Sequence, residues 1–256
     1  MDETLIRIVD LHKTFNGQTV LDGIDLEVKR GKITVIIGKS GGGKSVTTRH
    51  IVGIEKPDAG KVMVFGKDIA GLRRRELKEL RMRIGYLFQS GALLNWMTVE
   101  ENVELPILEH CPRLGKKERR ERVLEKLRLV SMENARHKYP SEISGGMKKR
   151  AALARAIVFN PELIIYDEPT TGLDPVIAST INDLILEMGE KLGTTQIVVT
   201  HDMESAYKIG SRIAMLYEGK IIARGTPEEI QRSGDPVVRQ FIIGDTQGPI
   251  LEAAET

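Results

Sequence analysis

The eight residues Gly38-Lys39-Ser40-Gly41-Gly42-Gly43-Lys44-Ser45 constrain this chain more than any other stretch, because they fit G-x-x-x-x-G-K-[ST] between an apolar run and a helical one. The run before them, Ile33 to Ile37, has the character of a buried parallel strand, and Ser45 to Val52 follows as a helix. Glycines let the backbone curl until several amide N–H groups point inward at phosphate oxygens, and a helix start adds the positive end of its dipole. Lys44 then places a charge on the β and γ phosphates of a nucleotide, and the Ser45 hydroxyl is positioned for magnesium.

Two other runs share the character of that strand. Leu163 to Tyr166 and Gln196 to Thr200 are each followed by a segment of helical spacing, and Ile177, Ile181, Leu184, Met188 and Leu192 draw an apolar stripe along one such helix. This alternation predicts an α/β fold built on a parallel sheet. The amino-terminal part reads instead as β-rich, with Leu5 to Val9, Thr19 to Val28 (Leu21, Ile24, Leu26, Val28) and Val62 to Phe65 as strands separated by glycine turns. From about Leu72 to Phe159 the pattern is helical: Arg74 to Met82, Thr98 to Glu109, Lys116 to Val130 and Lys148 to Phe159 form a helical insertion. In Lys116 to Val130 the apolar Val123, Leu124, Leu127 and Val130 face one way, and the mixed basic and acidic residues form a solvated face. Tyr217-Glu218-Gly219-Lys220, between two apolar runs, signals a hairpin.

Composition removes several alternatives. A chain of 256 residues can bury a full core without disulfide or metal, and the single Cys111 cannot form an internal bridge. With 41% hydrophobic and 29% charged residues, disorder is excluded as the dominant state. No apolar run approaches the roughly 20 residues needed to span a bilayer. Met1 to Asp10 carries Asp2 and Glu3 but no basic start and no apolar signal segment, so cytoplasmic residence is expected. The net charge of +2 is too small to argue for a nucleic-acid partner, so anion binding must be local.

Leu163-Ile164-Ile165-Tyr166-Asp167-Glu168 ends a strand in two carboxylates. Alone, these are as readily a capping or surface pair; beside a phosphate loop, the first can hold hydrated magnesium and the second can orient and deprotonate a water. Ile143-Ser144-Gly145-Gly146-Met147-Lys148-Lys149-Arg150 is a glycine turn opening a helix, and so either an ordinary cap or a second anion-binding helix start. The order of the motifs decides between these readings: Phe15, the phosphate loop, Gln89, Ser144 to Met147, Asp167-Glu168, Gly172-Leu173-Asp174, and His201 after its strand.

In that order the sequence resembles the ATP-binding cassette (ABC) ATPases over roughly residues 4 to 233. The resemblance implies a P-loop NTPase core with a parallel sheet, an antiparallel β subdomain and a helical subdomain at about 90–159 within a nucleotide-binding domain of 1–243, followed by a tail at 244–256. It implies ATP and Mg2+ as cofactors, with Gly38, Lys39, Ser40, Gly41, Gly42, Gly43, Lys44, Ser45 and Val46 around the phosphates and Phe15 stacked on adenine. Gln89 would touch magnesium and sense a membrane partner, with Ser45 and Asp167 as the other magnesium ligands. Glu168 would be the general base and His201 would contact the γ phosphate. Ser144, Gly145 and Gly146 would close on ATP held by a second copy, with Asp174 crossing the same interface, which makes the chain a homodimer. Met147 stands where the family usually has glutamine, but the Ser144-Gly145-Gly146 core is intact; Lys39 occupies a variable position and is expected to point to solvent.

Phe88-Gln89-Ser90-Gly91-Ala92-Leu93-Leu94, Asn102-Val103-Glu104-Leu105-Pro106-Ile107 and the tail Asp235-Pro236-Val237-Val238-Arg239-Gln240-Phe241 to Gly248-Pro249-Ile250 resemble the lipid-transport (Mla-type) branch. That implies integral membrane permease subunits, an MCE-type lipid-binding protein, and residence as a peripheral protein on the cytoplasmic face of the inner membrane. Trp96, Met97 and Val99 then become a groove for a permease helix, although Trp96 alone reads equally as core. Competing readings are a small-solute (amino-acid type) importer ATPase, a soluble cassette protein acting on ribosome or DNA, and a nucleotide-dependent interaction module that does not hydrolyse. His12, His50, His110 and His137 have no metal spacing and read as surface or capping residues, Cys111 as a loop residue, and Arg73-Arg74-Arg75 as a solvated helix start.

Overall fold

The computed structural model describes residues 3–252, without the side chains of Leu251 and Glu252, so Met1, Asp2 and the last part of the expected tail, 253–256, lie outside the described residues. The chain divides into two compact units, one formed by the residues up to Arg73 and from Ile197 onward, the other by Arg74–Gln196.

In the first unit, β1 (Thr4–Phe15), β2 (Gln18–Lys29), β4 (Ala59–Val64) and β5 (Lys67–Asp68) make an antiparallel sheet in the order β2-β1-β4-β5. Ile24, Leu26 and Val28 are buried on β2, as their alternation requires, and Leu21 is buried beyond the register shift between Asp22 and Ile24. β1 continues well past the expected Val9, because Asp10 takes φ 49° at a register shift between Ile8 and Leu11 and the strand bends through the irregularity instead of ending.

The same unit contains β3 (Ile33–Ile37), β9 (Arg212–Tyr217) and β10 (Lys220–Gly225), and β8 (Thr195–Thr200) enters it from the second. All five residues of β3 are buried, as a strand covered on both faces demands. It lies between β8 and β9 and pairs with β9 in parallel, from Thr34 opposite Arg212 to Ile37 opposite Met215. β9 and β10 form the expected hairpin through Glu218 and Gly219, at φ 46° and 74°, the two-residue turn whose twist matches its strands. Helix α1 (Lys44–Ile51) follows β3; α7 (Met203–Ile209), α8 (Pro227–Gln231), α9 (Pro236–Ile243) and α10 (Pro249–Glu252) complete the unit. Asp235 caps α9 by accepting from the Val237 and Val238 N–H groups at 2.8 and 3.1 Å.

The second unit pairs β6 (Ile84–Leu87) in parallel with β7 (Leu163–Asp167) and surrounds them with α2 (Arg74–Arg81), α3 (Val99–His110), α4 (Lys116–Leu129), α5 (Gly145–Ala156) and α6 (Pro175–Leu192). Thr98 and Glu101 cap α3 reciprocally: the Thr98 N–H donates to Glu101 at 2.7 Å, and the Glu101 N–H donates to the Thr98 hydroxyl at 3.3 Å. The α6 stripe holds at Ile181, Leu184 and Met188, while Ile177 near its start is more than a third exposed. α4 buries Val123 and Leu127 but also Lys126, whose ammonium donates to Asn160 Oδ1 at 2.6 Å and meets Glu125 at the same distance. Among the described residues no helix is long and apolar enough to cross a membrane.

His50 departs from its expected surface role. It is fully buried on α1, with Nδ1 2.8 Å from the Val46 carbonyl oxygen, and burial lowers its pKa against smaller opposing effects of the Val46 and Lys56 backbone. A histidine buried neutral binds its proton more weakly folded than unfolded, so its contribution is fully present above the unfolded pKa near 6.5 and is lost as pH falls through that value. Urea denaturation between pH 7.5 and 5 should therefore show stability falling toward acid, by at most about 1.4 kcal/mol per pH unit for this one proton, and more gently in His50→Gln. Parallel slopes for the two proteins would rule out a buried neutral His50.

Candidate functional site

Gly38 to Val46 leave the carboxyl end of β3 and enter α1. The chain makes the curl through Gly38, Gly41 and Gly43, at φ 148°, 77° and 95°. At Gly38 no side chain is possible, since a Cβ there would stand 2.1 Å from the Leu216 carbonyl oxygen of β9. Lys44 is almost fully buried and turns back over the loop, its ammonium donating to the carbonyls of Gly38 at 2.8 Å and Lys39 at 3.0 Å. The Gly42 N–H closes the turn onto the Lys39 carbonyl at 3.1 Å. Lys39 and Ser40 are exposed, as expected for Lys39. Whereas α3, α5, α6 and α7 each start with a Thr, Ser or Asp side chain accepting from their first N–H groups, α1, like α4, starts at a glycine with no side-chain cap. A helix start left in this way, behind a glycine curl that carries a lysine, fits the phosphates of a nucleotide.

Two further expected residues belong to this unit. Phe15 ends β1 with its ring more than a third exposed. His201 follows β8 and is exposed; next to it Asp202 caps α7, accepting from the Glu204 N–H at 3.0 Å and from the Ser205 hydroxyl.

The remaining expected residues lie in the second unit. Asp167 and Glu168, at the end of the wholly buried β7, are each 7% exposed, and Glu168 has φ 50°. Tyr86 donates its hydroxyl to Asp167 Oδ2 at 3.2 Å, and Thr171 donates to Glu168 Oε2 at 3.0 Å. A carboxylate held this way on a backbone outside the regular regions is aimed by its surroundings. The Asp167 carboxylate offers oxygens of the hard kind that magnesium takes.

α5 begins at Gly145, three residues before the expected Lys148. Ser144 is its N-cap, accepting from the Met147 N–H at 3.3 Å, and both glycines fall in the first turn. They are there for space: a Cβ on Gly146 would lie 2.5 Å from Ile177 Cγ2 of α6, and one on Gly145 would lie 3.2 Å from Leu173 Cδ2. The Ser144 turn is thereby packed against the segment that ends in Asp174, which caps α6 by accepting from the Ile177 N–H at 3.0 Å.

Gln89 is exposed, but its backbone is not loose. Lys149, from the middle of α5, donates to the Gln89 carbonyl and to the Glu168 carbonyl, the latter at 3.2 Å, so it brings these two expected residues together. Burial pushes the Lys149 pKa down, and the Glu168 and Asp167 carboxylates oppose that shift. Arg155 donates to the carbonyls of Ala92 and Gly91 at 2.7 and 2.8 Å. Asn102 closes the next segment, accepting from the Leu94 N–H at 2.7 Å and donating to the carbonyls of Leu94, Met97 and Thr98 at 3.0–3.1 Å. Sequence reasoning missed these three supports, because each binds main-chain carbonyls and main-chain carbonyls have no sequence signature. Trp96, on the segment that Asn102 holds, is 73% exposed and so not core, but Val99 is fully buried, with its N–H on the Lys138 carbonyl. A groove for a partner helix is therefore limited to Trp96 and Met97.

A family described as ABC transporter matches residues 21–171. The intermembrane phospholipid transport system ATP-binding protein MlaF of Haemophilus influenzae is 42% identical over 98% of this chain and 94% of its own length. The methionine import ATP-binding protein MetN of Rhizobium johnstonii is also 42% identical, over 87% of this chain and 61% of its own length. The dimeric cassette MJ0796, in a post-hydrolysis state bound to ADP and Pi, superimposes with a TM-score of 0.79 at 34% identity, covering 87% of this chain and 98% of that one.

Lys149→Met leaves two carbonyls in the interior without their donor. It should lower the free energy of unfolding by about 1–3 kcal/mol and speed amide exchange in the Phe88–Ala92 segment, as measured by urea denaturation and hydrogen-exchange mass spectrometry. Unchanged exchange in that segment would show that Lys149 does not hold it.

Proposed function

The chain belongs to the ABC transporter family, and from that premise we propose that it is the ATPase subunit of an intermembrane phospholipid transport system. As a member of the family it binds ATP, hydrolyses it with magnesium, and works as a dimer with membrane partners. The observation that carries the cargo reading is the extent of the likeness to MlaF. Identity alone does not separate a phospholipid from a methionine relative, since both are 42% identical; correspondence over nearly the full length of both chains favours the phospholipid one.

In this reading the domain is 1–243 with a helical subdomain at about 90–159, and 244–256 is a tail. The curl from Gly38 to Val46 cradles the phosphates with main-chain N–H groups, Lys44 adds its charge, and Phe15 stacks on the base. Ser45, Gln89 and Asp167 hold magnesium, which neutralises charge on the phosphates when bound. Glu168, aimed by Thr171, orients the attacking water and accepts its proton, and His201 meets the γ phosphate. Ser144, Gly145 and Gly146, with Asp174 beside them, complete the site of a second copy, so that hydrolysis requires two chains. Trp96 and Met97 receive a helix of an integral permease, through which the subunit sits on the cytoplasmic face of the inner membrane, and an MCE-type lipid-binding protein completes the system.

The likeness to MetN keeps a small-solute importer as the second reading. Purifying the assembled membrane complex and identifying its co-purifying lipids by mass spectrometry separates the two: enrichment of phospholipids over the bulk membrane is expected, and none would favour the importer. Within the complex, Glu168→Gln should keep ATP binding while turnover falls by about 10²–10⁴-fold, the scale of a lost general base; turnover at the parent rate would remove Glu168 from that role. Lys44→Ala should lose ATP affinity by calorimetry, and unchanged affinity would refute the cradle.

A further inference from the structure

Phe15 is an aromatic ring left more than a third exposed at the end of a strand that otherwise buries its large apolar side chains, save for Val9. Lys13 stands two residues earlier, on the same face by the period of a strand. Its ammonium lies over the Phe15 ring, 5.2 Å from the centroid, within the range of a cation–π contact. Lys13 is itself held in place: with a side chain only 13% exposed, it donates to Asp58 Oδ1 and to the Lys56 carbonyl, both at 2.9 Å. The second oxygen of Asp58 accepts the Thr14 N–H at 2.7 Å. Lys13 first, and the Thr14 N–H second, hold the Asp58 carboxyl below its ordinary pKa. One carboxylate thus fixes both the cation over the ring and the backbone residue between that cation and the ring. With a cation on one face of Phe15, the opposite face is the one on which a flat ligand can stack.

We propose that Lys13, anchored by Asp58, is a positioning residue for the nucleotide base: it holds the Phe15 ring so that its other face receives the purine. The proposal rests on the reading of Phe15 as the base platform and adds the device that orients it. Because the base touches Phe15 and not Lys13, the device acts on a ligand that has a base and not on one that has phosphates alone.

The test is calorimetric titration of the full chain with ATP and with inorganic tripolyphosphate, which carries comparable charge and no base. Lys13→Met is expected to weaken ATP about 3- to 10-fold and to leave tripolyphosphate binding unchanged, with Lys13→Arg restoring ATP affinity by returning a cation to the ring. Asp58→Asn, whose amide oxygen can still accept from Thr14, should weaken ATP in the same selective way. Unchanged ATP affinity in Lys13→Met, or an equal loss for both ligands, would overturn the proposal. Phe15→Ala separates the two levels: if it leaves ATP affinity intact, the platform itself is wrong and the proposal falls with it; if it weakens ATP and Lys13→Met does not, only the positioning role fails.

Discussion

The approach of the Gly38 backbone to the Leu216 carbonyl is the constraint on which the phosphate loop depends. Ile37 pairs with Met215 at the end of the β3–β9 ladder, so Gly38 meets Leu216 as the next rung, where the chain must leave the sheet without carrying a side chain. The register of two parallel strands therefore decides where the curl begins, and a slip of one residue would move every buried side chain of β3 to its other face. From that point the loop is held by its own main chain, with the Lys44 ammonium spanning the Gly38 and Lys39 carbonyls and the Gly42 N–H closing back on Lys39. A loop built before its ligand arrives needs little reordering to accept it, which is the advantage of preorganisation in binding.

Much of this was legible in the sequence, for a physical reason. β3 was read with its observed limits because a strand buried on both faces must be apolar throughout, and the loop after it because few sequences let a backbone curl around phosphate. The hairpin at Glu218-Gly219 followed from turn chemistry, which is local, and the helix expected from Thr98 does start there, on the cap that Thr98 and Glu101 make. Several departures have a determinant distant in sequence. The start of α5 was placed late because Gly145 and Gly146 look like a turn, and only Leu173 and Ile177 show why they are glycines inside a helix. Lys126 and Lys149 are polar residues whose burial depends on partners elsewhere: an asparagine side chain, and the carbonyls of Gln89 and Glu168. Val99, expected at a surface groove, is buried in the core with its N–H on the distant Lys138 carbonyl.

α5 is the element that connects the parts of the second unit. Ser144 caps its start, Lys149 in its middle grips the carbonyls of Gln89 and Glu168, and Arg155 in its last turn grips those of Gly91 and Ala92. At about 1.5 Å per residue these anchors are spread along most of the helix, and a helix does not change length. The Ser144 turn is also wedged against Leu173 and Ile177, leaving it no freedom to shift independently of the segment that ends in Asp174. If a second copy meets that turn, as the proposed function has it, it meets the start of the same helix that holds the backbone of the Gln89 segment and of Glu168. Side-chain contacts alone would let these groups move separately; main-chain anchoring by a buried lysine and a half-buried arginine ties them to one helix. In the proposed reading, where a second copy meets the Ser144 turn and Glu168 takes the proton of the attacking water, α5 is the element within this unit that joins the two.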